Sequence, residues 1–270
     1  MLAPVSEVAR SGQAAIPLFE ARGLTLDYVT ERGTVRAVDA VDFTIAEGER
    51  LVLLGPSGCG KSSILKAVAG FLEPSAGSLS LRGSAIRGPG PDRLVVFQEF
   101  DQLLPWKTVL DNVAFPLVAT RRMKKAEARE IAADALRRVG LERALDSYPH
   151  TLSGGMKQRA AIARALAASP DVLLMDEPFA ALDALTRLQM QRDLMDIARE
   201  TGLTLLFVTH DIDEAVLIGT RLHLLSAHPG RTITTLDVSA FDMRDLGTAA
   251  FETVTRKVHA ALFGKAGGQS

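Results

Sequence analysis

Cysteine is almost absent from this sequence. Cys59 is the only one in 270 residues, so no disulfide can form within the chain, in keeping with a reducing compartment. An excess of charge of one sign is missing too: Lys+Arg 31 against Asp+Glu 32 leaves a net −1, which points away from nucleic acid as a partner. No apolar run approaches the roughly 20 residues that cross a bilayer. Residues 1–20 have neither the basic nor the apolar region of a secretion signal, so the expectation is a cytosolic protein. No internal repeat or low-complexity tract occurs. What remains is an ordinary globular composition, 47% hydrophobic and 23% charged, long enough for one large or two ordinary domains.

The most informative stretch is Gly55-Pro56-Ser57-Gly58-Cys59-Gly60-Lys61-Ser62, preceded by Leu51-Val52-Leu53-Leu54 and followed by Ser63-Ile64-Leu65-Lys66-Ala67-Val68-Ala69. Four apolar residues in a row read as a buried parallel strand, and Ile64, Leu65, Val68 and Ala69 fall at helical spacing. Between them, three glycines allow a backbone whose N–H groups turn inward at a helix start, a cradle for phosphate. Lys61 brings a positive charge to the β and γ phosphates, and Ser62 offers a hydroxyl to Mg²⁺. Cys59 stands where a helix N-terminus lowers a thiol pKa, but its residue type reads here as a small side chain tolerated in the loop. The motif alone says nucleotide binder, a class that also holds kinases, GTPases and motor ATPases.

The rest of the chain gives the loop its setting. Residues 1–17 have no period and read as a loose tail, as do residues 264–270. Four short alternating runs, 18–21, 24–28, 35–38 and 41–45, read as an antiparallel sheet, and residues 78–86 as a further hairpin. A first helix ends near Gly70. Leu94-Val95-Val96-Phe97 is a buried strand closed by Gln98, after which residues 109–118, 124–139 and 141–145 read as helices of an insertion. Val172-Leu173-Leu174-Met175 runs into Asp176 and Glu177, and Thr204 to Thr209 runs into His210. Ligands of open α/β sheets lie beyond the carboxyl ends of strands, which aims these polar residues at the phosphate loop. Asp211 and Glu214 have capping-box spacing ahead of a helix through Ile218. Residues 222–226 and 232–238, joined across Pro229-Gly230, read as a closing hairpin, and Phe251, Val254, Val258 and Leu262 share one face of a last helix.

Leu152-Ser153-Gly154-Gly155-Met156-Lys157-Gln158-Arg159 places a serine and two glycines before a helix over residues 156–168, a second anion-binding terminus by the same physics. Alone it would be an N-cap and a hinge. With the phosphate loop, Gln98, Leu173 to Asp183 and His210, it resembles in order and spacing the ATPase subunits of ABC transporters, over nearly all of residues 18–238. The resemblance implies an α/β P-loop NTPase with a RecA-like parallel-sheet core, an N-terminal antiparallel β subdomain and an inserted helical subdomain at about residues 99–158. The ATPase domain would cover residues 18–240, with a C-terminal helix and tail at 241–270. It also implies a head-to-tail homodimer that sandwiches two ATP molecules, each between the phosphate loop of one subunit and Ser153, Gly154 and Gly155 of the other. Residue by residue, Tyr28 stacks on adenine and residues 55–63, ending at Ser63, hold the phosphates. Asp176 with Ser62 and Gln98 holds Mg²⁺, Glu177 polarises the attacking water, and His210 contacts the γ-phosphate. Asp183 in Ala181-Leu182-Asp183 belongs to the loop crossing the dimer interface. Met156 departs from the family's usual glutamine without touching the phosphate contacts.

A narrower resemblance rests on Gly88-Pro89-Gly90-Pro91-Asp92-Arg93, Leu103-Leu104-Pro105-Trp106, Asp111-Asn112-Val113-Ala114-Phe115 and His228-Pro229-Gly230-Arg231. These are similar to the importer ATPases for taurine, aliphatic sulfonates and nitrate. They imply an energy-coupling subunit peripheral to the cytoplasmic face of the inner membrane, working with integral-membrane permease subunits and, indirectly, a periplasmic solute-binding protein. Exporter ATPases share the nucleotide residues and remain an alternative, as does a soluble ABC ATPase without a transport role. Residues 98–106 combine an ATP-facing glutamine with apolar residues. They are expected to dock a permease loop, with core packing of Trp106 as the rival reading.

Overall fold

The structure is a computed structural model that describes residues 17–31, 33–121 and 123–264. The tails expected at residues 1–17 and 264–270 fall, but for one residue each, outside the described residues. Two sheets organise the chain. Strands β1 (Phe19–Thr30), β2 (Gly33–Ile45), β4 (Ala76–Leu81) and β5 (Ser84–Ala85) form an antiparallel sheet in the order β2-β1-β4-β5. Strands β3 (Arg50–Leu54), β6 (Arg93–Val96), β7 (Val172–Asp176), β8 (Leu205–Thr209), β9 (Arg221–Leu225) and β10 (Thr232–Asp237) form the second, in the order β10-β9-β3-β8-β7-β6. Only β10 runs antiparallel in it.

The apolar runs are continuous because this second sheet is covered on both faces. Alternate residues divide between two cores. Leu51, Leu53, Leu174, Leu206 and Val208 face the antiparallel sheet and helix α1 (Lys61–Val68). Val52, Leu54, Leu173, Met175, Leu205 and Phe207 face the other core. That core is built with α2 (Val109–Arg121), α3 (Lys125–Arg138), α4 (Gly154–Ala167), α5 (Ala184–Thr201), α6 (Ile212–Ile218) and α7 (Ala249–Phe263). Each of these leucines is fully buried, worth about 2 kcal/mol of transfer free energy apiece.

Three expectations are corrected. The four N-terminal runs are two long strands: the breaks at Gly23 and Ala40 are bulges with left-handed backbones, φ 57° and 48°, and the Asp42 carboxylate accepts the Gly23 N–H at 2.7 Å. Residues 141–145 are not helical. Gly140 at φ 71° ends α3 in a Schellman arrangement, with Leu141 N–H to Leu136 O at 2.8 Å and Gly140 N–H to Arg137 O at 3.0 Å, and Leu141 and Ala144 are buried through turns instead. Helix α4 starts at Gly154, two residues earlier than expected, because Ser153 is itself the N-cap and accepts the Met156 N–H at 3.3 Å. Helix α5 had no counterpart in the sequence reading. It is capped by Asp183 at one end and by Gly202, φ 64°, at the other, and buries Met190, Leu194, Met195, Ile197 and Ala198.

Candidate functional site

Because β3, β8, β7 and β6 are successive parallel neighbours, the residues at their carboxyl ends line up in one row. The row runs from the phosphate loop after β3 through His210 after β8 and the pair Asp176-Glu177 at β7 to Gln98 after β6. Topology brings together what the sequence separates by more than a hundred residues.

The loop is shaped by its glycines for more than one reason. Gly60 caps α1 at φ 96°, and a Cβ there would also lie 2.6 Å from Val38 Cγ2 and 2.8 Å from Ala37 O. Gly55 has no unusual φ but no room either, its Cβ falling 2.8 Å from Leu225 O. Pro56 is half-buried, while Ser57 and Gly58 are exposed at the tip. Lys61 is 4% exposed, and its Nζ donates to Gly55 O at 2.8 Å and Pro56 O at 3.0 Å, so the ammonium is held inside the turn. Cys59 is fully buried beneath Gly55, its Sγ 4.0 Å from the Lys61 Nζ. Burial pushes its thiol pKa up, against the lowering that a helix start gives, so the small-residue reading holds.

Ser62 Oγ donates to Asp176 Oδ1 at 2.9 Å. Burial raises the Asp176 pKa, and the Ser62 bond works against that rise. Glu177 is left-handed at φ 44°, a conformation costing a non-glycine residue about 1 kcal/mol. Its N–H still bonds Val208 O at 3.0 Å, and its Oε2 sits 2.9 Å from His210 Nδ1. With Glu177 ionised, that contact requires the proton on Nδ1, which leaves Nε2 to face outward. Gln98 is exposed. Tyr28 is 38% exposed and its hydroxyl donates to Ser63 Oγ at 2.9 Å, which lays the ring beside the first turn of α1.

Ser153, Gly154 and Gly155 lie apart from this row. Ser153 is exposed, and no bond among the described residues joins it to the phosphate loop. Gly155 lets α4 approach α5: a Cβ there would be 3.1 Å from Thr186 Cγ2. Asp183 caps α5 through Thr186 N–H at 3.0 Å, and these Thr186 bonds hold its pKa down. Two helix N-termini therefore stand side by side.

Sequence comparison decides what this arrangement is. The pattern of the ABC transporter family matches residues 38–180. The chain belongs to the ABC transporter family. The taurine import ATP-binding protein TauB of Rhizobium johnstonii is 51% identical over 205 residues, 76% of this chain and 78% of that one. The dimeric structure of MJ0796, a bacterial ABC transporter cassette, matches with a TM-score of 0.73 at 33% identity, covering 83% of this chain and 100% of that one. The dimeric post-hydrolysis state of the MJ0796 cassette bound to ADP and Pi matches with a TM-score of 0.72 at 31% identity, covering 83% and 100%. This chain is accordingly an ABC-type ATPase with the α/β cassette fold.

The structure of the cassette adds residues to which the sequence assigned no role. Gly230 packs on the phosphate loop so closely that a Cβ would fall 2.1 Å from Cys59 O. Its N–H bonds Ala37 O at 2.9 Å, its carbonyl accepts Asp39 N–H at 3.0 Å, and Arg231 pairs with Asp39 at 2.7 Å. Buried Gln158 of α4 and Gln102 meet at 3.4 Å and both donate to Phe97 O, tying the backbone beside Gln98 to α4. Asn112, fully buried, makes four bonds to the backbone of Leu104, Lys107 and Thr108. On that braced loop Trp106 is 71% exposed, which removes the core-packing reading. Both residues fall inside stretches singled out above, Gln158 in residues 152–159 and Asn112 in residues 111–115, but no bracing role is legible for either in the sequence. A cleft of about 470 Å³ lined by Ile131, Leu166, Leu203 and the paired Arg82 and Asp171 opens near the amino ends of β7 and β8, and none of the residues placed at the strand-end row or at the helix N-termini of α4 and α5 line it.

Proposed function

We propose that this ATPase is the energy-coupling subunit of an importer for taurine or a similar small sulfonate, working as a homodimer on permease subunits at the cytoplasmic face of the membrane. The observation that carries the reading is the row of strand ends in which Ser62 touches Asp176 and Glu177 touches His210. The importer and the solute come from the 51% identical relative, whose name is a taurine import protein.

Within the row each group has a task. Lys61 would exchange its two carbonyl partners for β- and γ-phosphate oxygens, and the loop N–H groups surround the same oxygens. Tyr28 supports the adenine. Glu177 accepts a proton from the water whose oxygen bonds the γ-phosphorus as the bond from that phosphorus to the β,γ-bridging oxygen breaks, giving ADP and phosphate. His210, held by Glu177 through Nδ1, presents Nε2 to the γ-phosphate.

Hard oxygen donors suit Mg²⁺, and Ser62 with Asp176 forms such a pair beside the phosphate cradle. Gln98 is the third protein group assigned to the ion. When bound, Mg²⁺ neutralises charge on the phosphate oxygens.

Trp106, 71% exposed on the loop braced by Asn112, and Phe115, 46% exposed on α2, are assigned to the permease. A periplasmic solute-binding protein would act through that permease, since no helix of the described residues is long and apolar enough to cross a membrane. The test is growth on taurine as sole sulfur source after deletion of the gene. Wild type should restore growth, whereas Glu177→Gln should not. Trp106→Ala should also fail to restore it while the isolated subunit keeps its ATPase within about twofold. Growth of the deletion strain on taurine would remove the solute assignment, and growth restored by Trp106→Ala would remove the docking assignment.

A further inference from the structure

The cavity that reaches both Glu177 and His210 has a wall with no task in the scheme above. It measures about 60 Å³, and beside those two residues it is lined by Phe179, Ala180, Arg187, Thr209, Asp211 and Glu214. Glu214, 6% exposed in the first turn of α6, is tied to both neighbours of His210. Its carboxylate accepts from the Thr209 hydroxyl, and its N–H donates to Asp211 Oδ1 at 3.0 Å. The Asp211 N–H in turn donates to Thr209 Oγ1 at 3.0 Å, and Gln191 of α5 holds Glu214 Oε1 at 3.0 Å.

Arg187 faces the opposite way along the chain. Its Nη2 donates to Leu182 O at 3.2 Å and Ala180 O at 3.5 Å, in the loop that leads to Asp183. Its Nε is buried with no acceptor among the described residues. A cation in the first turn of α5 opposes the helix dipole; the turn itself holds no acidic residue, and the carboxylate at that end is the N-cap Asp183. Burial raises the Glu214 pKa, and the charge of Arg187, which lines the same cavity, is among the contacts that oppose that rise. A cavity of this size admits about two waters, enough to join the Arg187 Nε to that carboxylate.

We propose that Arg187 and Glu214 are positioning residues that transmit the placement of loop 180–183 to His210, so that the His210–Glu177 contact is set for hydrolysis only when that loop is in place. The inference rests on the reading that Glu177 and His210 run hydrolysis, and it adds what sets them. A purely structural role would alter melting temperature and leave kcat per folded molecule alone. A relay would alter kcat and the state of His210 from either end, although Arg187 bonds the loop and not the histidine.

The experiment uses the full chain with Arg187→Gln, Glu214→Gln and the double substitution. The double variant removes both charges together and leaves no lone buried ion, so it reports even if a single variant does not fold. In each folded variant, KM for MgATP should stay within about twofold while kcat falls about tenfold or more, and the double variant should be no slower than the slower single one. The His210 imidazole resonance, assigned by its loss in His210→Ala, should shift in Arg187→Gln as it does in Glu214→Gln, without nucleotide. Wild-type kcat, independent additive losses, or an unmoved His210 resonance in the folded variants would each overturn the relay. Glu177→Gln measured alongside separates the two failures. If it still hydrolyses ATP, the reading of the site has failed; if it is inactive while the Arg187 and Glu214 variants run at wild-type rate, only the relay has.

Discussion

The phosphate loop and the paired N-termini of α4 and α5 are both built to meet anions, yet the fold finishes one and leaves the other open. At the loop, Lys61 is 4% exposed with two carbonyl partners, Ser62 is bonded to Asp176, and Gly230 closes the outer side. At the α4 and α5 end, Ser153 is exposed and bonded only to its own helix, and Leu185 beside Asp183 is 81% exposed. A polar terminus next to a bare leucine is what a protein surface looks like where another surface is to arrive. The difference is what the proposed homodimer asks for: one chain with two complementary halves of a site, each half meeting its complement on another molecule.

The hardest break to the comparison comes at the finished end. Glu177→Gln should bind ATP nearly as wild type does, while turnover falls by a factor on the order of 10² or more, because the cradle survives and the base is gone. Single-turnover hydrolysis and nucleotide binding measured on the same preparation check it, and near-normal turnover would strip Glu177 of its role.

Next in size is the test of the open end. Lys61→Ala and Ser153→Arg should each be close to inactive, and mixing them should restore hydrolysis, since a heterodimer holds one site with both wild-type residues. The specific activity of the wild type should also rise with protein concentration. Strict proportionality of rate to concentration, well below the dimerisation constant, rejects a shared site.

The smallest effect probes the sheet behind the finished end. His223 on β9 is buried against Phe43 and bonded to Thr232, and burial lowers its pKa to about 4. Folded His223 stays neutral where the unfolded chain, near pKa 6.5, takes up a proton. Stability is therefore unaffected above pH 6.5 and falls as pH drops from about 6.5 to 4, by about 2 kcal/mol between pH 7.5 and pH 5. Urea unfolding of wild type and His223→Asn at the two pH values reads this directly. An equal pH dependence in both proteins would mean that His223 does not titrate as its burial implies.

Much of the finished end is legible from sequence because its residues are bound to local chemistry. Lys61 and Ser62 follow a strand and open a helix, and Asp176, Glu177 and His210 each end an apolar run, so alternation and spacing suffice to place them. The bulges at Gly23 and Ala40 read as turns because a local window cannot see that both strands continue on the far side. Residues 141–145 read as helix because Leu141, Ala144 and Leu145 fall at helical spacing with Glu142 and Arg143 on the other side, yet Gly140 had already ended it. Helix α5 is marked at its ends by Asp183 and Gly202 but was not among the sequence expectations. The bracing tasks of Gly230 and Gln158 could not be read, because they are contacts with distant backbone that only the tertiary fold brings near, and that of Asn112 depends on how the loop at residues 104–108 turns back on α2.

The contact of Gly230 with Cys59 O also imposes an order on the making of the protein. The loop leaves the ribosome about 170 residues before the turn that braces it. At about 5–20 residues per second, the loop waits roughly 10 to 30 s with one wall missing. A nascent chain in that interval carries the whole nucleotide motif without the rigid form that the hairpin of β9 and β10 gives it. A truncation before residue 230 lacks the turn that packs on Cys59 O while still containing the whole nucleotide motif.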